Sequence, residues 1–293
     1  MKIRLMLLLC ADLDRTIIPN GLAEESPLAR PLLHRLAALP HLRLVYVSGR
    51  DRKLLREAIA DYDLPAPSFA VGDVGTSIYT IENGNWQVCG EWHREIAPDW
   101  RGKTAAEIAG LFADIDCLRL QEPEKQNVFK LSYYTPEIID RETLLAGMAA
   151  RLSAQGIQAA IVWSLDDMTR QGLLDILPRS ADKLGAIRFL MKKSGVDAEN
   201  TVFAGDSGND ISVLTSGLKS VLVRNATNKV RNEAQRYLAA TGQLDRLYCA
   251  RGGLAGMNGN YAAGVLEGFC HFFPETAAAL TPATDCYPRK EQQ

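Results

Sequence analysis

Two hydrophobic patterns alternate over the early and late parts of this chain. Residues 5–11, 42–47, 68–71, 173–177, 201–204 and 220–223 are short, nearly continuous apolar runs, the pattern of strands covered on both faces. Residues 28–39, 53–62, 183–193 and 229–240 instead place apolar side chains with the helical period, so each would lay one stripe on a sheet. Strand and helix in alternation is the βαβ signal. It predicts an α/β fold with a doubly wound, Rossmann-like parallel sheet at its core.

Between about residues 81 and 170 the pattern changes. Residues 117–121, 128–134 and 158–164 alternate polar with apolar, interspersed with two helical stretches at 103–113 and 142–154. Alternation predicts strands with one covered and one exposed face, hence a largely antiparallel sheet. The expected organisation is a Rossmann-like core from residues 1–82 and 171–293, with an α+β domain of residues 83–170 inserted into it. From residue 281 the chain turns polar and ends Arg289-Lys290-Glu291-Gln292-Gln293, which predicts a frayed tail.

Charge and composition narrow the function. The 33 basic and 35 acidic residues leave a formal net charge of −2, with no basic excess to neutralise a phosphate backbone, so no nucleic-acid partner is expected. No run approaches the roughly 20 apolar residues of a membrane span, so no membrane partner is expected either. The start, Met1-Lys2-Ile3-Arg4 followed by the apolar run, imitates a signal peptide. That run is short for one and meets Asp12 and Asp14 directly, so a buried strand fits better. Cys10, Cys89, Cys117, Cys249, Cys270 and Cys286 form no C-x-x-C pair and read as the reduced thiols of a cytoplasmic protein. His34, His41, His93 and His271 have no zinc-ligand spacing, so a metal would be held by oxygen.

Asp12-Leu13-Asp14-Arg15-Thr16 follows the first predicted strand, at the carboxyl end where open α/β sheets bind ligands. Two carboxylates on one loop suit a hard cation, and a carboxylate can itself be a nucleophile. Alone, the segment fits a helix N-cap or polar turn equally well. Gly205-Asp206-Ser207-Gly208-Asn209-Asp210 follows the run at 201–204, and its acids would meet those of the first loop if the two strands are neighbours. The alternative there is an Asn/Asp-Gly turn capping a helix. Ser48-Gly49-Arg50 ends the run at 42–47 and offers a hydroxyl and amides near a helix start, where anions bind. Lys183 opens a predicted helix and gains weight only from its order among the other motifs. Glu24-Glu25 and Asp166-Asp167 read as solvated surface, and the glycine-rich stretch 252–260 as a packed loop, since it contains no nucleotide fingerprint.

In the order D-x-D-x-T, S-G-R, K, G-D-x-x-N-D, these residues resemble the haloacid dehalogenase superfamily. The insertion between the second and third motifs is similar to that of members with a large α/β cap, mostly phosphatases of sugar phosphates and similar small phosphoesters. Within that group the chain looks like the sucrose-phosphate phosphatases. Asp12-Leu13-Asp14, the segment Val128-Phe129-Lys130-Leu131-Ser132-Tyr133-Tyr134, Gly205 to Asp210, and Gly253 to His271 carry the likeness. Arg15 departs from it, because relatives usually have a small or neutral residue there.

The resemblance implies a Mg²⁺-dependent phosphoric monoester hydrolase. Asp12 would be the nucleophile, giving an aspartyl-phosphate, and Asp14 the acid for the leaving oxygen and then the base for water. Mg²⁺ would be held by Asp12, Asp206 and the main-chain carbonyl of Asp14, with Asp210 in support. Ser48 and Lys183 would hold phosphate oxygens, with the loop from Leu13 through Arg15 to Thr16, and with Gly49, Arg50 and Asn209. Sugar recognition is expected on the cap from Gln121, Gln126 and Lys130, with Glu122 nearby. In an extended strand Ser132 and Tyr134 share the face of Lys130. Asp14 argues against dehalogenation, since a halide leaves without a proton. The expected partner is a small-molecule sugar phosphate, sucrose 6-phosphate first, with mannosylfructose, glucosylglycerol and glycosylglycerate phosphates as alternatives. A functional link to a sugar-phosphate synthase goes with it. A reading of another class is a non-catalytic phosphosugar-binding partner of a glycosyltransferase.

Overall fold

The computed structural model describes residues 5–166 and 169–280. The basic start, Asp167, Cys286 and the expected tail from residue 281 lie outside them. Strands β1 (Leu7–Asp12), β2 (Leu42–Val47), β3 (Phe69–Gly72), β4 (Ser77–Glu82), β5 (Asn85–Val88), β6 (Arg119–Leu120), β7 (Leu131–Thr135), β8 (Ala159–Leu165), β9 (Gly172–Pro178), β10 (Thr201–Gly205), β11 (Lys219–Leu222) and β12 (Leu247–Cys249) follow one another in the chain. The chain divides into two compact units, Met1–Tyr46 with Ala58–Pro67 and Gly195–Gln293, and Val47–Glu57 with Ser68–Ser194. The boundaries expected at 82/83 and 170/171 both fall inside the second unit.

In the first unit the strands lie in the order β12-β11-β10-β1-β2. The pairs β1–β10, β10–β11 and β11–β12 are parallel. Every residue of β1 and of β10 is buried, as their unbroken apolar runs predict for strands covered on both faces. From β1 the sheet grows to β2 on one side and to β10, β11 and β12 on the other. That reversal of order opens a crevice outside the carboxyl ends of β1 and β10. The helix Ala29–Ala37 buries Ala29, Leu32, Leu33 and Leu36, the i, i+3, i+4, i+7 stripe of a sheet-covering helix. The helix Tyr261–Phe272 buries its first ten residues, and Gly268 lets it approach β11, since a Cβ there would fall 2.3 Å from Val221 Cγ2.

The second unit holds an antiparallel meander, β3-β4-β5, and an antiparallel sheet in the order β6-β7-β9-β8. The β4–β5 hairpin turns at Asn83-Gly84, both with positive φ (50° and 78°), which is the N-G signature of a type I′ turn. The α/β class, with a parallel-rich sheet, is as expected. One strand changes sheets: residues 173–177, expected in the parallel core, form β9 at the centre of the antiparallel sheet. A strand covered on both faces is apolar in either kind of sheet, so its periodicity does not say which one it joins. The strand expected at 117–121 contracts to the exposed pair Arg119-Leu120. That expected at 128–134 begins at Leu131, because Asn127 and Lys130 bridge each other in a tight turn. The helix expected at 103–113 is Ala105–Ala109, started by a Thr104–Glu107 capping box and followed by a 3₁₀ turn.

Candidate active site

β1 ends at Asp12 and β10 one residue before Asp206, with Ala11 opposite Ala204 across the parallel pair. Strand pairing thus brings the first and last motifs together. Asp12, Asp206 and Asp210 are buried, with carboxylate oxygens within 4.8 Å of one another. Two unit charges at that separation repel by about 3 kcal/mol even at an effective dielectric near 20. A cation relieves this, and an all-carboxylate donor set suits a hard ion such as Mg²⁺ over zinc. These residues therefore fit a divalent metal. Thr16 Oγ1 donates to Asp206 Oδ1 at 3.1 Å. Asp210 Oδ2 accepts from Asp206 N, Ser207 N and Ser207 Oγ at 3.1, 3.1 and 3.2 Å, so Asp210 also sets the turn that carries Asp206. Asn209 is exposed, and its Oδ1 accepts from Ser207 Oγ at 2.6 Å.

Asp14 is half-buried and stands outside the three-carboxylate group, with Oδ1 accepting from Asn20 Nδ2 at 2.7 Å. The carbonyl of the buried Leu13 receives the amides of Thr16, Ile17 and Ile18 at 3.2, 2.9 and 2.8 Å. Arg15, at φ 61°, has its amide held by Asn20 Oδ1 at 2.8 Å and Ile18 O at 3.1 Å. That amide was expected to face phosphate and is instead engaged within the loop. The Arg15 side chain places Nε 3.5 Å from Asp206 Oδ2.

Sequence reasoning missed the residues that brace this loop. Asn225 Nδ2 donates to Arg15 O at 2.7 Å, and its Oδ1 accepts from Tyr261 N at 2.8 Å. Tyr261 Oη accepts from Ala23 N at 3.1 Å. Glu267, buried in an apolar helix, accepts from Tyr248 Oη, Arg251 N and Gly252 N at 2.7, 3.0 and 2.8 Å, which fixes the glycine-rich loop as the packed element expected. Asn225 and Arg15 are 210 positions apart, so no local pattern signals the contact.

In the second unit, Ser48 is buried, its amide donating to Val71 O at 2.9 Å and its Oγ accepting from Arg50 N at 3.2 Å. The hydroxyl keeps its own hydrogen as a donor. Gly49 is exposed, with no atom within 4 Å of an added Cβ. Arg50 O accepts from Asp73 N at 2.9 Å. Lys183 is buried at the first position of the helix Lys183–Ser194. Lys130 is buried near Asp73, whose carboxyl is pushed above the usual range by burial, opposed by hydrogen bonds from Ser77 and Asn127 and by the Lys130 charge.

The polar face expected on the cap is largely turned inward. Gln126 accepts from Ser132 N and donates to Ser132 O, both at 2.8 Å, so its amide stands in for the strand that the short β6 fails to supply. Gln121 Nε2 donates to Tyr133 O at 2.9 Å. Ser132 is buried with its hydroxyl on Asp175, and Tyr134 Oη donates to Glu122 at 2.8 Å. Gln121 and Ser132 thus lace the sheet where they were expected to face a sugar, whereas Gln126 both bonds Ser132 and lines an open cleft of this unit.

A strand-end aspartate facing further buried aspartates in a switch-point crevice, together with an antiparallel α+β unit, is the arrangement expected of a haloacid dehalogenase-type hydrolase. The profile of the sucrose-6F-phosphate phosphohydrolase family matches residues 5–273. The chain belongs to that family, and its sucrose-phosphatase homologues are phosphoric monoester hydrolases. It is 57% identical over 272 residues, 93% of this chain and 73% of the relative, to the "Putative HAD-like hydrolase" of Nitrosococcus oceani. It is 26% identical to the glucosylglycerol-phosphate synthase of Pseudomonas anguilliseptica over 91% of this chain and 31% of that protein. To sucrose-phosphatase 2 of Nicotiana tabacum it is 28% identical, over 76% of this chain and 51% of the relative. The chain therefore spans only about a third to a half of the last two proteins. In fold it is similar to the sucrose-phosphatase from Synechocystis sp. PCC6803, solved with sucrose and phosphate, at TM-score 0.68 and 24% identity over 92% of this chain and 99% of that one. No helix among the described residues is long and apolar enough to cross a membrane.

Proposed function

We propose that the chain is a cytoplasmic, Mg²⁺-dependent phosphatase of a glycoside phosphate, with sucrose 6-phosphate the first candidate. The observation that carries this reading is the buried group of Asp12, Asp206 and Asp210 at the carboxyl ends of adjacent parallel strands. Mg²⁺ held there, with the main-chain carbonyl of Asp14, would neutralise the phosphoester dianion and act on it as a Lewis acid. Asp12 attacks phosphorus in line and forms an aspartyl-phosphate as the bond to the sugar oxygen breaks. Asp14 gives its proton to that oxygen, then takes one from the water that cleaves the aspartyl-phosphate. Inorganic phosphate leaves, Asp12 is again a carboxylate and Asp14 again carries its proton. The family resemblance assigns the remaining phosphate contacts to Ser48 and Lys183, supported by Gly49, Arg50 and Asn209. It assigns leaving-group recognition to the α+β cap with Lys130.

A second reading keeps this chemistry and changes the substrate. Similarity to a glucosylglycerol-phosphate synthase over 91% of this chain supports a glycosylglycerol phosphate, and with it a functional link to a synthase. Phosphate release from disaccharide, glycosylglycerol, glycosylglycerate and hexose phosphates, with Asp12→Asn as the blank, tests both. A preference for sucrose 6-phosphate that vanishes in the variant is the expected result. Preference for another glycoside phosphate moves the substrate. Binding by both proteins with no turnover beyond the blank overturns the enzyme reading in favour of a phosphosugar-binding partner of a glycosyltransferase.

A further inference from the structure

The second unit contains an open cleft of about 380 Å³, a volume within the range of small-molecule sites, about 300–1,000 Å³. Three segments meet at it: Asp51 just after the Ser48-Gly49-Arg50 turn, Asp73 and Tyr79 after β3, and Asn127 and Val128 before β7. Asp73 is the unusual member. It lines the cleft although it is only 7% exposed, and it begins three successive residues with positive φ, Asp73 at 52°, Val74 at 60° and Gly75 at 101°. Left-handed backbone is unfavourable for any side chain and most so for a β-branched one. Strain of this kind persists where surrounding structure imposes it, which is most often at a site.

Two clamps impose it here. Asp73 N donates to Arg50 O at 2.9 Å, which ties the run to the Ser48 turn. On the other side Gly75 packs on the start of the Lys183 helix so closely that a Cβ would lie 2.9 Å from Ala181 O. The Asp73 loop is therefore held by the two elements of this unit to which the phosphatase reading assigns phosphate oxygens. What borders a bound phosphate is its leaving group.

The cleft selects for a neutral, hydroxyl-rich ligand. Its charged lining mixes signs, Asp51, Asp73 and Glu124 with Arg52 and Lys53; Asp51 is also 3.6 Å from Lys125 and Asp73 is opposed by the Lys130 charge, so neither sign dominates. A carboxylate offers about four acceptor positions. Ser77 and Asn127 supply hydrogen bonds to that of Asp73, which leaves capacity for a pair of vicinal hydroxyls.

We propose that Asp73 is a specificity residue whose carboxylate accepts hydrogen bonds from the hydroxyls of the glycosyl leaving group, seated in this cleft. The inference rests on the phosphatase reading above. The test compares kcat/KM for the glycoside phosphate preferred by the wild type with that for p-nitrophenyl phosphate, in the wild type, Asp73→Asn and Val128→Trp. Val128 lines the cleft and is 55% exposed, so a tryptophan there adds bulk at the cleft while leaving the Asp73 carboxylate in place. Asp73→Asn is expected to lose roughly 10- to 100-fold on the glycoside phosphate, and less than about twofold on the aryl ester, which has no hydroxyls to read. Val128→Trp is expected to show the same split through KM, and it decides the matter if Asp73→Asn fails to fold. Equal effects on the two substrates, or none on the glycoside phosphate, overturn the inference and leave the phosphatase reading intact. A wild type that hydrolyses p-nitrophenyl phosphate and no glycoside phosphate overturns both.

Discussion

Gly205 ends β10 one residue before Asp206, and the space around it explains the glycine. A Cβ added there would fall 2.7 Å from both Cγ and Oδ2 of Asp210 and 2.8 Å from its Cβ, where ordinary contact begins at 3.4 Å. Because the Asp210 Cβ itself is too close, rotating the carboxylate cannot relieve the overlap, and the turn must shift by several tenths of an ångström. That turn is held by the three hydrogen bonds to Asp210 Oδ2. Overpacking of this kind costs about 1–3 kcal/mol, and one lost hydrogen bond from an amide to a carboxylate about 1.5–3 kcal/mol. Gly205→Ala should therefore destabilise the protein by about 3–5 kcal/mol, a fall in Tm of about 5–8 °C for a chain of this size. The same shift carries the Asp206 carboxylate away from Asp12, so the Mg²⁺ concentration for half-maximal turnover should rise tenfold or more. Thermal unfolding in chelator and a Mg²⁺ titration of phosphate release measure the two effects separately. A wild-type Tm would refute the packing argument. A lowered Tm with an unchanged Mg²⁺ requirement would show that Asp210 serves the turn and not the metal group.

Chelation should abolish turnover and Mg²⁺ restore it, with Ca²⁺ substituting poorly because it is larger and less demanding of octahedral geometry; full activity in excess chelator removes the metal role. Mg²⁺ at a hundredfold excess over its Kd should also stabilise the fold by about 2.7 kcal/mol, read as a Tm shift that disappears in Asp206→Asn. Lys130→Ala should reduce turnover of the glycoside phosphate about tenfold or more and spare p-nitrophenyl phosphate, since it removes the cation balancing Asp73; equal losses would place Lys130 in folding alone. Burial holds the His93 pKa below its usual 6.5, so the folded protein binds fewer protons than the unfolded chain as pH falls past that value. Stability is then complete above about pH 6.5 and declines as pH drops toward the lowered folded value, a slope in Tm that His93→Gln should flatten; an unchanged slope would assign the acid sensitivity to other groups.

Much of the site was legible because its signals are local. β1 and β10 announced themselves as unbroken apolar runs, and Asp12 and Asp206 follow directly from where those runs stop. The cap was less legible. Gln121 and Ser132 looked ligand-facing because alternation assigns a face but not what covers it, and the two-residue β6 pairs only part of the edge of β7. The Asn83-Gly84 hairpin and the Thr104–Glu107 capping box were present as patterns, whereas Asn225 had no pattern to display.

Sequence alone determined the chemical inventory and the elements: an acid at the end of a buried strand, a second acidic loop after another, and an alternating α+β stretch between them. Only the tertiary structure decided that β9 belongs to the antiparallel sheet, that Asp210 and not Asp14 joins the buried carboxylates, and that Asn225 closes on a loop 210 positions away. Periodicity along a chain reports which faces are dry, because burial acts on each residue where it stands. Hydrogen-bond partners far apart in sequence are chosen by packing and strand order, and no local run of residues contains that information.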